Sequence, residues 1–430
     1  FHVRRLALPV PGTLRQLFDI AEIDGMVPFD HARPLWQATL VEGLEGNRAA
    51  LLLKFHHLWV DGKTNIEVGR LIFDTERDAD LDKSMPPPPT RASKSGAQHS
   101  PPARIVQGAR EAAGKGLSAY GNAMRQSARV LSNPRRAVSA GSELVASARR
   151  VLSPPSAERS PLFAGRSFKS RYDVLDVPFD DLRRAVKSVG CSINDGYMAG
   201  ITGGIRLYLE SLDSHLDEVA IGMPLSTGSD DKLKTGNQIS AAILTFPVNL
   251  ADPVERLHRV QELVKSHRQE QAANFLSSVT PLLMYIPEQL FAGAMSRVLN
   301  MLDFTASQVP GMREPRYIAG AQLTHYYGFG PRTGMAAFIG MMTHLDNCCI
   351  GVHSDPAAIT DPDLFMECLS RGFNEILALG RKTTGAKTAA NKFAARKKAP
   401  APKTASARKK SRPKARPLPV KKSTAKRKSR

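Results

Sequence analysis

The chain has 430 residues, a formal net charge of +20 and a hydrophobic content of 42%, which suffices to bury one or two sizeable cores. The sequence contains no run of 18 or more apolar residues, so it predicts no transmembrane helix. Four cysteines without CxxC spacing argue against a disulfide framework or a zinc site and indicate reduced thiols: Cys191, Cys348, Cys349 and Cys368. Because the chain begins with the strand-like FHVRRLALPVPG, we expect the natural N-terminus to lie further upstream.

The positive charge is concentrated in two segments. Residues 381–430 contain 20 Lys and Arg and no Asp or Glu, which leaves 40 basic and 40 acidic residues in the rest of the chain. Residues 84–160 contain 12 basic and 3 acidic residues. The remaining body is therefore acidic, and the high isoelectric point belongs to a tail and a linker.

Residues 1–83 predict a compact α/β half. Apolar residues recur at helical spacing in two stretches and form continuous strand-like runs in two others. We predict helices at 12–25 and 62–74 and strands at 34–44 and 48–60.

Residues 84–160 predict a linker. Its first part, 84–104, is rich in Pro and Ser, which is typical of a stiff and exposed segment. Within 105–152 apolar residues return at roughly helical spacing, with Arg and Lys between them. This pattern fits a solvated helical linker and fits equally a basic amphipathic helix lying on an anionic membrane.

Residues 161–380 predict a second half in which strands and helices alternate, so the fold class is α/β with mixed sheets. The apolar stretch 280–304 is either an ordinary helical core or the wall of a lipid tunnel. We predict strands at 171–180, 219–226 and 239–250 and helices at 180–190, 192–211 and 252–271.

The tail, residues 381–430, is rich in Lys, Arg, Ala, Pro and Ser, and we predict that it is disordered because it cannot bury enough apolar surface. Its charge predicts a polyanionic partner, which is nucleic acid, anionic lipid or an acidic protein.

The stretch KFHHLWVDG, residues 54–62, is the candidate for chemistry. Strand alternation points His56 and His57 to opposite faces, so that one can enter a cleft while the other packs into the domain. Imidazole, with an ordinary pKa of about 6.5, is a natural general base near neutral pH. Asp61 can fix the local backbone or an imidazole, and Gly62 permits a turn. The alternative is two histidines at the edge of a core, each bonded to a backbone carbonyl.

Two other chemistries fit this stretch less well. No GxSxG nucleophile elbow is present, which favours direct base catalysis on a substrate hydroxyl over a covalent acyl-enzyme. Two adjacent histidines followed by an aspartate do not match HExxH, and a strand does not place adjacent side chains on one face. The sequence therefore predicts no metal site.

HHLWVDG matches the HHxxxDG motif of the CoA-dependent acyltransferase superfamily, and the chain resembles the bacterial wax ester synthase/diacylglycerol acyltransferase family, which is abundant in actinobacteria. The resemblance covers most of 1–83 and 161–380. It departs in ASQVPGM, where the family has a form closer to SNVPGP, and after MPLS, where STGSDDK lacks the family's common Arg; both departures concern the acceptor pocket. The segments that carry it are FDHARPLWQATLVEGLEGNRAALLLKFHHLWVDG, SINDGYMAGITGGIRLYL, MPLS with TGNQISAAILTFPVNLADPVERL, and VPGMREPRYIAGAQL.

The resemblance implies two chloramphenicol-acetyltransferase-like halves with a tunnel between them. It implies O-acyl transfer from acyl-CoA, a co-substrate, to a diacylglycerol or a fatty alcohol, without a further cofactor or a metal. His57 is then the general base, which takes the proton of the acceptor hydroxyl and returns it to the departing CoA thiolate. Asp61 would hold the turn that aims His57, and His56 would support it.

The resemblance also suggests three residues near the substrates. Asn194 is a candidate donor to the oxyanion, beside Asp195. The same pair is explained equally well as the cap and first-turn acid of a helix. Trp36 either lines the tunnel or is a buried core residue.

Three hypotheses for function follow from the sequence. The first is an acyltransferase that makes triacylglycerol or wax ester, located in the cytoplasm and bound peripherally to the inner membrane or to lipid inclusions. The second is an acyltransferase of the same superfamily with a different alcohol acceptor. The third is a non-catalytic interaction protein that uses its basic tail, and the intact HHLWVDG argues against it.

Overall fold

The structure is a computed structural model, and it describes residues 1–56, 62–79, 160–225, 240–269, 302–331 and 334–397. The predictions for 84–159, for most of 280–304 and for the tail beyond 397 lie outside these residues. Phe1–Thr383 forms one compact unit, and Thr384–Arg430 is a second unit.

The small half, residues 1–79, contains a three-stranded sheet in the order β1-β2-β3. The pairing of β1 with β2 is parallel and that of β2 with β3 antiparallel, so that β1, α1 and β2 form a βαβ unit. Its elements are β1 (Val3–Ala7), α1 (Leu14–Met26), β2 (Trp36–Leu44), β3 (Arg48–Phe55) and α2 (Gly62–Ile72).

The start of α1 follows from local sequence. The Thr13 side chain accepts a hydrogen bond from the Gln16 backbone N–H, and the Gln16 side chain accepts one from the Thr13 backbone N–H. This capping box satisfies two backbone donors that a helix start otherwise leaves unpaired. The predicted helix at 12–25 is confirmed.

The large half, residues 160–383, contains a six-stranded mixed sheet in the order β4-β11-β10-β7-β5-β6 and a two-stranded sheet of β8 and β9. The central β10 and β7 are parallel, as are β7 and β5, whereas the other neighbours are antiparallel. The strands are β4 (Arg171–Pro178), β5 (Glu218–Leu225), β6 (Ser240–Pro247), β7 (Phe304–Met312), β8 (Tyr317–Ile318), β9 (Ala321–Gln322), β10 (Ala337–His344) and β11 (Asn347–Ser354). The helices are α3 (Phe179–Ser188), α4 (Ile193–Ser211), α5 (Pro253–Gln269) and α6 (Pro362–Lys397). The mixed α/β fold class predicted from the sequence is confirmed.

The main core lies between one face of the six-stranded sheet and the helices α3 to α6. Helices α4 and α6 cross where Gly204 faces Gly372; a Cβ on Gly372 would lie 2.5 Å from the carbonyl oxygen of Gly200. This backbone approach explains the glycines that interrupt the two helical patterns. The opposite face of the sheet carries the small half.

The two halves meet through two helices. On α1, the Arg15 guanidinium donates to the Tyr172 carbonyl oxygen of β4 at 2.9 Å, and the Glu22 carboxylate accepts from the Tyr172 backbone N–H at 2.8 Å. On α2, Ile66 joins an apolar cluster with Met312 of β7. Helix α2, which follows the connection from β3, therefore packs on the large half, as does helix α1.

Three expectations about boundaries and burial require correction. Strand β3 ends at Phe55 instead of 60. Helix α6 continues to Lys397, into the predicted disordered tail, because 381–397 is rich in Ala and Lys, which favour a helix. Trp36 is 37% exposed, so it is not a core residue: it opens β2 at the end of the sheet and stacks on His2 with 4.7 Å between ring centroids.

Candidate active site

The HHxxxDG motif occupies the connection between β3 and α2. His56 is the first residue after β3, and Gly62 is the first residue of α2. His57 and Asp61 lie outside the described residues. The motif thus leaves the last strand of the small sheet and leads into the helix that packs on the large half.

His56 is held at the end of the small sheet by the segment that connects α1 to β2. Its backbone N–H donates to the Leu35 carbonyl oxygen at 3.1 Å. Its ring lies 6.0 Å from the Phe29 ring and 6.3 Å from the His31 ring, measured between centroids. His56 is half-buried. The supporting role that the resemblance suggests for it fits this environment and stays a prediction.

Lys54, the residue that opens the KFHHLWVDG stretch, lies on the same face of β3 as His56. Its ammonium group donates to the carbonyl oxygens of Asp24 at 2.6 Å and Val27 at 2.5 Å, at the C-terminus of α1. Partial burial lowers the pKa of Lys54, partly opposed by the carboxylate of Asp24. Lys54 therefore joins the end of the motif strand to the end of α1.

Helix α2 is fixed against β7, the strand that carries the VPGM sequence. Gly69 of α2 faces the Met312 side chain, and Phe73 packs into the same cluster. Just beyond α2, Asp74 and Tyr317 exchange backbone hydrogen bonds of 2.7 and 2.9 Å. These contacts hold α2, the helix that follows the motif, on the large half.

Residues 323–331, the strap segment, cross the face of the large sheet that carries the small half. The buried ring of His344 bonds the Leu323 carbonyl oxygen at 2.8 Å, and the His353 ring bonds the Gly330 carbonyl oxygen at 2.9 Å. Between them, the Tyr327 hydroxyl donates to the Asp176 carboxylate at 2.8 Å. Two histidines and a carboxylate thus fasten the strap between the two halves.

Asp195 acts as a helix-capping residue. Ser192 is the N-cap of α4, and its hydroxyl accepts from the Asp195 backbone N–H while the Asp195 carboxylate accepts from the Ser192 backbone N–H at 2.8 Å. The Gln261 amide of α5 also donates to this carboxylate, at 3.3 Å. Asn194 is the second residue of α4, and that helix packs on the face of the large sheet opposite the small half.

The cysteines lie in an environment that suppresses reactivity. Burial raises the pKa of Cys348 and of Cys349 to about 12, and it also raises the pKa values of Cys191 and Cys368. All four are free thiols and buried. Among the described residues, no group of three His, Cys, Asp or Glu side chains is placed to hold a metal ion.

In the described part of the chain, no helix is both long and apolar enough to cross a bilayer.

Sequence reasoning assigned no role to Lys54, Arg15 or the strap segment. One signal was available for Lys54, since it is a cation inside the apolar run AALLLKF and must therefore find a partner. Arg15 and the strap gave no such signal, because their partners lie far away in the sequence. The structure brings Lys54, Phe29, His31 and His56 together at one end of the small sheet.

Comparison with known proteins gives the family of the chain. Residues 1–197 match the wax ester synthase/diacylglycerol acyltransferase catalytic domain, and residues 235–377 match the C-terminal domain of the same family. A putative diacylglycerol O-acyltransferase of Mycobacterium tuberculosis is 35% identical over 385 residues, which are 88% of this chain and 76% of the relative. Another from the same species is 28% identical over 399 residues, covering 88% and 80%.

Two solved structures share the fold. The wax ester synthase/diacylglycerol acyltransferase from Marinobacter aquaeolei VT8 has a TM-score of 0.59 and 19% identity, covering 88% of this chain and 80% of that one. The first condensation domain of the calcium-dependent antibiotic synthetase has a TM-score of 0.52 and 16% identity, covering 88% and 75%. On the evidence of its two family domains and its relatives, the chain belongs to the wax ester synthase/diacylglycerol acyltransferase family and is an acyltransferase.

Proposed function

We propose that the protein transfers a long-chain acyl group from acyl-CoA to the hydroxyl of a diacylglycerol or a fatty alcohol, with His57 as general base. The observation that supports this most directly is the position of the HHxxxDG motif, between β3 of the small half and the helix α2 that packs on the large half. Substrates that enter between two halves would meet at such a connection. Its relatives' descriptions as diacylglycerol O-acyltransferases favour a diacylglycerol acceptor.

The proposed reaction needs one proton carrier and no acyl-enzyme intermediate. The His57 imidazole accepts the proton of the acceptor hydroxyl while the hydroxyl oxygen attacks the thioester carbonyl carbon. The tetrahedral intermediate then expels the CoA sulfur, which takes the proton from the imidazolium, so that an ester and free CoA thiol leave and the imidazole is restored. General base catalysis of this kind contributes about 10²–10⁴-fold.

The neighbouring motif residues have supporting roles in this proposal. The His56 ring lies beside Phe29 and His31. From the opposite face of β3, Leu51 and Leu53 pack into the cluster shared with α2 and β7. Asp61 would hold the turn into Gly62. Asn194 starts a helix on the other face of the large sheet from the small half, and its substitution tests whether it contributes to the oxyanion site at all. Trp36, exposed at the start of β2, is a candidate substrate contact.

The decisive experiment measures CoA release from palmitoyl-CoA by the full chain with hexadecanol, with a diacylglycerol and without acceptor. Acceptor-dependent release that falls at least about 100-fold in His57→Ala supports the proposal and ranks the two acceptors. The matched control is His215→Ala, which removes an exposed imidazole of the large half, outside the motif and its surroundings, and should keep most of the activity. The proposal would be overturned if His57→Ala left the CoA release unchanged. It would also be overturned if no lipid acceptor stimulated CoA release by the folded protein.

We further propose that the basic tail holds the enzyme at an anionic lipid surface in the cytoplasm, where its lipid substrates are found. The tail contributes 20 positive charges without an acidic residue, and each Lys or Arg near an anionic surface is worth about 1 kcal/mol at low salt. The expected result is co-sedimentation with anionic vesicles that high salt abolishes. A chain ending at residue 397, which lacks 14 of these 20 charges, should bind the vesicles much more weakly. Binding to DNA at the same salt with no binding to vesicles would assign the tail to nucleic acid instead.

A further inference from the structure

Lys54 occupies an unusual position for a lysine. It is the penultimate residue of β3, where it is half-buried, and its ammonium group reaches the C-terminus of α1. There it donates to the carbonyl oxygens of Asp24 and Val27, at 2.6 and 2.5 Å. The same ammonium group lies 4.9 Å from the centre of the Phe29 ring. Three contacts therefore hold one flexible side chain in a single place.

The partners of Lys54 are groups that need a cation. The last carbonyl groups of a helix have no partner within the helix and carry the negative end of its dipole. Helix α1 has no basic residue in its own last turn. Lys54 supplies that charge from a neighbouring strand, and the aromatic face of Phe29 adds a favourable cation–π contact.

The segment that Lys54 fixes is the one that surrounds His56. It leaves α1 at Val27, passes Phe29 and His31, and returns as β2 after Leu35. His56 donates its backbone N–H to the Leu35 carbonyl oxygen at 3.1 Å, and its ring lies near those of Phe29 and His31. Lys54 and His56 are two residues apart on one strand, so both side chains face this segment. A shift of the segment would move the end of β3, from which the motif continues.

We propose that Lys54 is a positioning residue for acyl transfer: it holds the end of β3 and the His56 ring in place, and the motif continues from there to His57. The proposal rests on the proposed role of His57 as base. Its physical reason is geometric: a displacement of about 1 Å in a reacting group can cost about 100-fold in rate, whereas the binding of a long acyl chain is spread over many contacts and changes little.

Arg48 provides a matched control at the other end of β3. Its guanidinium also donates to a backbone carbonyl, that of Glu45, at 2.9 Å, and it is more exposed than Lys54. The variants Lys54→Met and Arg48→Met each remove one cation from the same strand, with two carbonyl bonds in the first case and one in the second. They differ in distance from the motif, and a loss of strand stability alone would affect activity similarly in both.

The experiment compares kcat and KM for palmitoyl-CoA in Lys54→Met, Lys54→Arg and Arg48→Met, all checked for folding by circular dichroism. We expect kcat to fall about 10–100-fold in Lys54→Met with KM within about threefold of the original. Lys54→Arg, which keeps a cation able to donate to both carbonyl oxygens, should recover most of the rate. Arg48→Met should stay within about threefold. A folded Lys54→Met that keeps its kcat, or an equal loss in Arg48→Met, would overturn the proposal.

A second measurement separates failure of this proposal from failure of the proposed function. Proton–carbon spectra of ¹³C-labelled histidine, with His56 assigned through His56→Gln, report the ring environment without any turnover. Lys54→Met should shift or broaden the His56 signal, and Arg48→Met should leave it in place. If the original chain has no acyl-transfer activity, the proposed function fails, and a shifted signal still shows that Lys54 sets this strand end. An unmoved signal overturns the positioning role whatever the activity.

Discussion

The small and the large half of this acyltransferase are built in different ways. In the large half, α3 to α6 and one face of a six-stranded sheet enclose a core in which many side chains have no exposure at all. In the small half, β1 is exposed along its whole length and β3 is only half-buried. The small half, which carries the HHxxxDG motif, is held on the large half by two smaller apolar clusters together with specific polar contacts. The stability of the fold therefore depends mainly on the large half, whereas the geometry at the motif depends on the contacts of the small half.

The largest expected effect on stability comes from the buried ion cluster of the large half. The Arg256 side chain is fully buried and donates to the Glu375 carboxylate at 2.5 Å, and Arg206 donates to the same carboxylate at 2.8 Å. Glu375→Ala leaves a buried charge without its partner, and we expect a loss of about 3–5 kcal/mol in the free energy of unfolding, measured with urea. The control is Glu210→Ala, which removes the exposed partner of Arg206 and should cost less than about 1 kcal/mol. Equal costs would show that the buried and the exposed partner of the arginines contribute alike.

The next largest effect tests the packing of α4 on α6. Gly372→Ala places a methyl group 2.5 Å from the Gly200 carbonyl oxygen, and backbone cannot move aside as a side chain can. We expect a loss of about 1–3 kcal/mol, seen as a lower thermal midpoint. Arg371→Ala, at an exposed position of the same helix, should change stability by less than about 0.5 kcal/mol. A Gly372→Ala protein as stable as the original would show that the two helices separate easily.

A smaller effect is expected where the small half packs on the large one. Arg15 bonds the Tyr172 carbonyl oxygen and forms ion pairs with Glu22 and, at 3.4 Å, with Asp173. Because one third of the Arg15 side chain is exposed, solvent weakens these contacts. We expect Arg15→Met to lower the free energy of unfolding in urea by about 1–2 kcal/mol. Arg33→Met, which breaks an exposed pair with Asp30, should cost at most about 0.5 kcal/mol. If both variants match the original, the small half does not depend on this contact.

The smallest effect is a pH dependence of the large half. Burial raises the folded-state pKa of Cys348 and Cys349 from 9.0 to about 12, so the folded chain keeps protons that the unfolded chain releases. Stability therefore falls as pH rises from the unfolded value toward the folded one. Between pH 7 and 9 we expect the two thiols to lower it by less than about 1 kcal/mol, a loss absent from Cys348→Ala/Cys349→Ala. A thiol reagent at pH 8 should label neither cysteine before unfolding; rapid labelling would refute the buried environment.

The elements of the fold were largely predictable because they depend on local pattern. The helical period of 12–25 and 192–211 and the apolar run of 48–55 each correspond to an observed element. The start of α4 was less predictable, since Ser192 caps the helix instead of Asn194. Trp36 shows the weakness of residue type alone: a large apolar side chain is usually buried, yet the end of a small sheet leaves it exposed.

The sequence by itself determined the family, the HHxxxDG motif and the order of the elements, because these are written in short stretches of neighbouring residues. Only the tertiary structure decided which groups meet at the site. Lys54 finds its carbonyl partners 27 and 30 residues away, and Arg256 finds Glu375 at a distance of 119 residues. It also decided that α4 and the small half lie on opposite faces of the large sheet. The reason is that periodicity reports which side of an element is apolar, whereas partners depend on how distant elements pack.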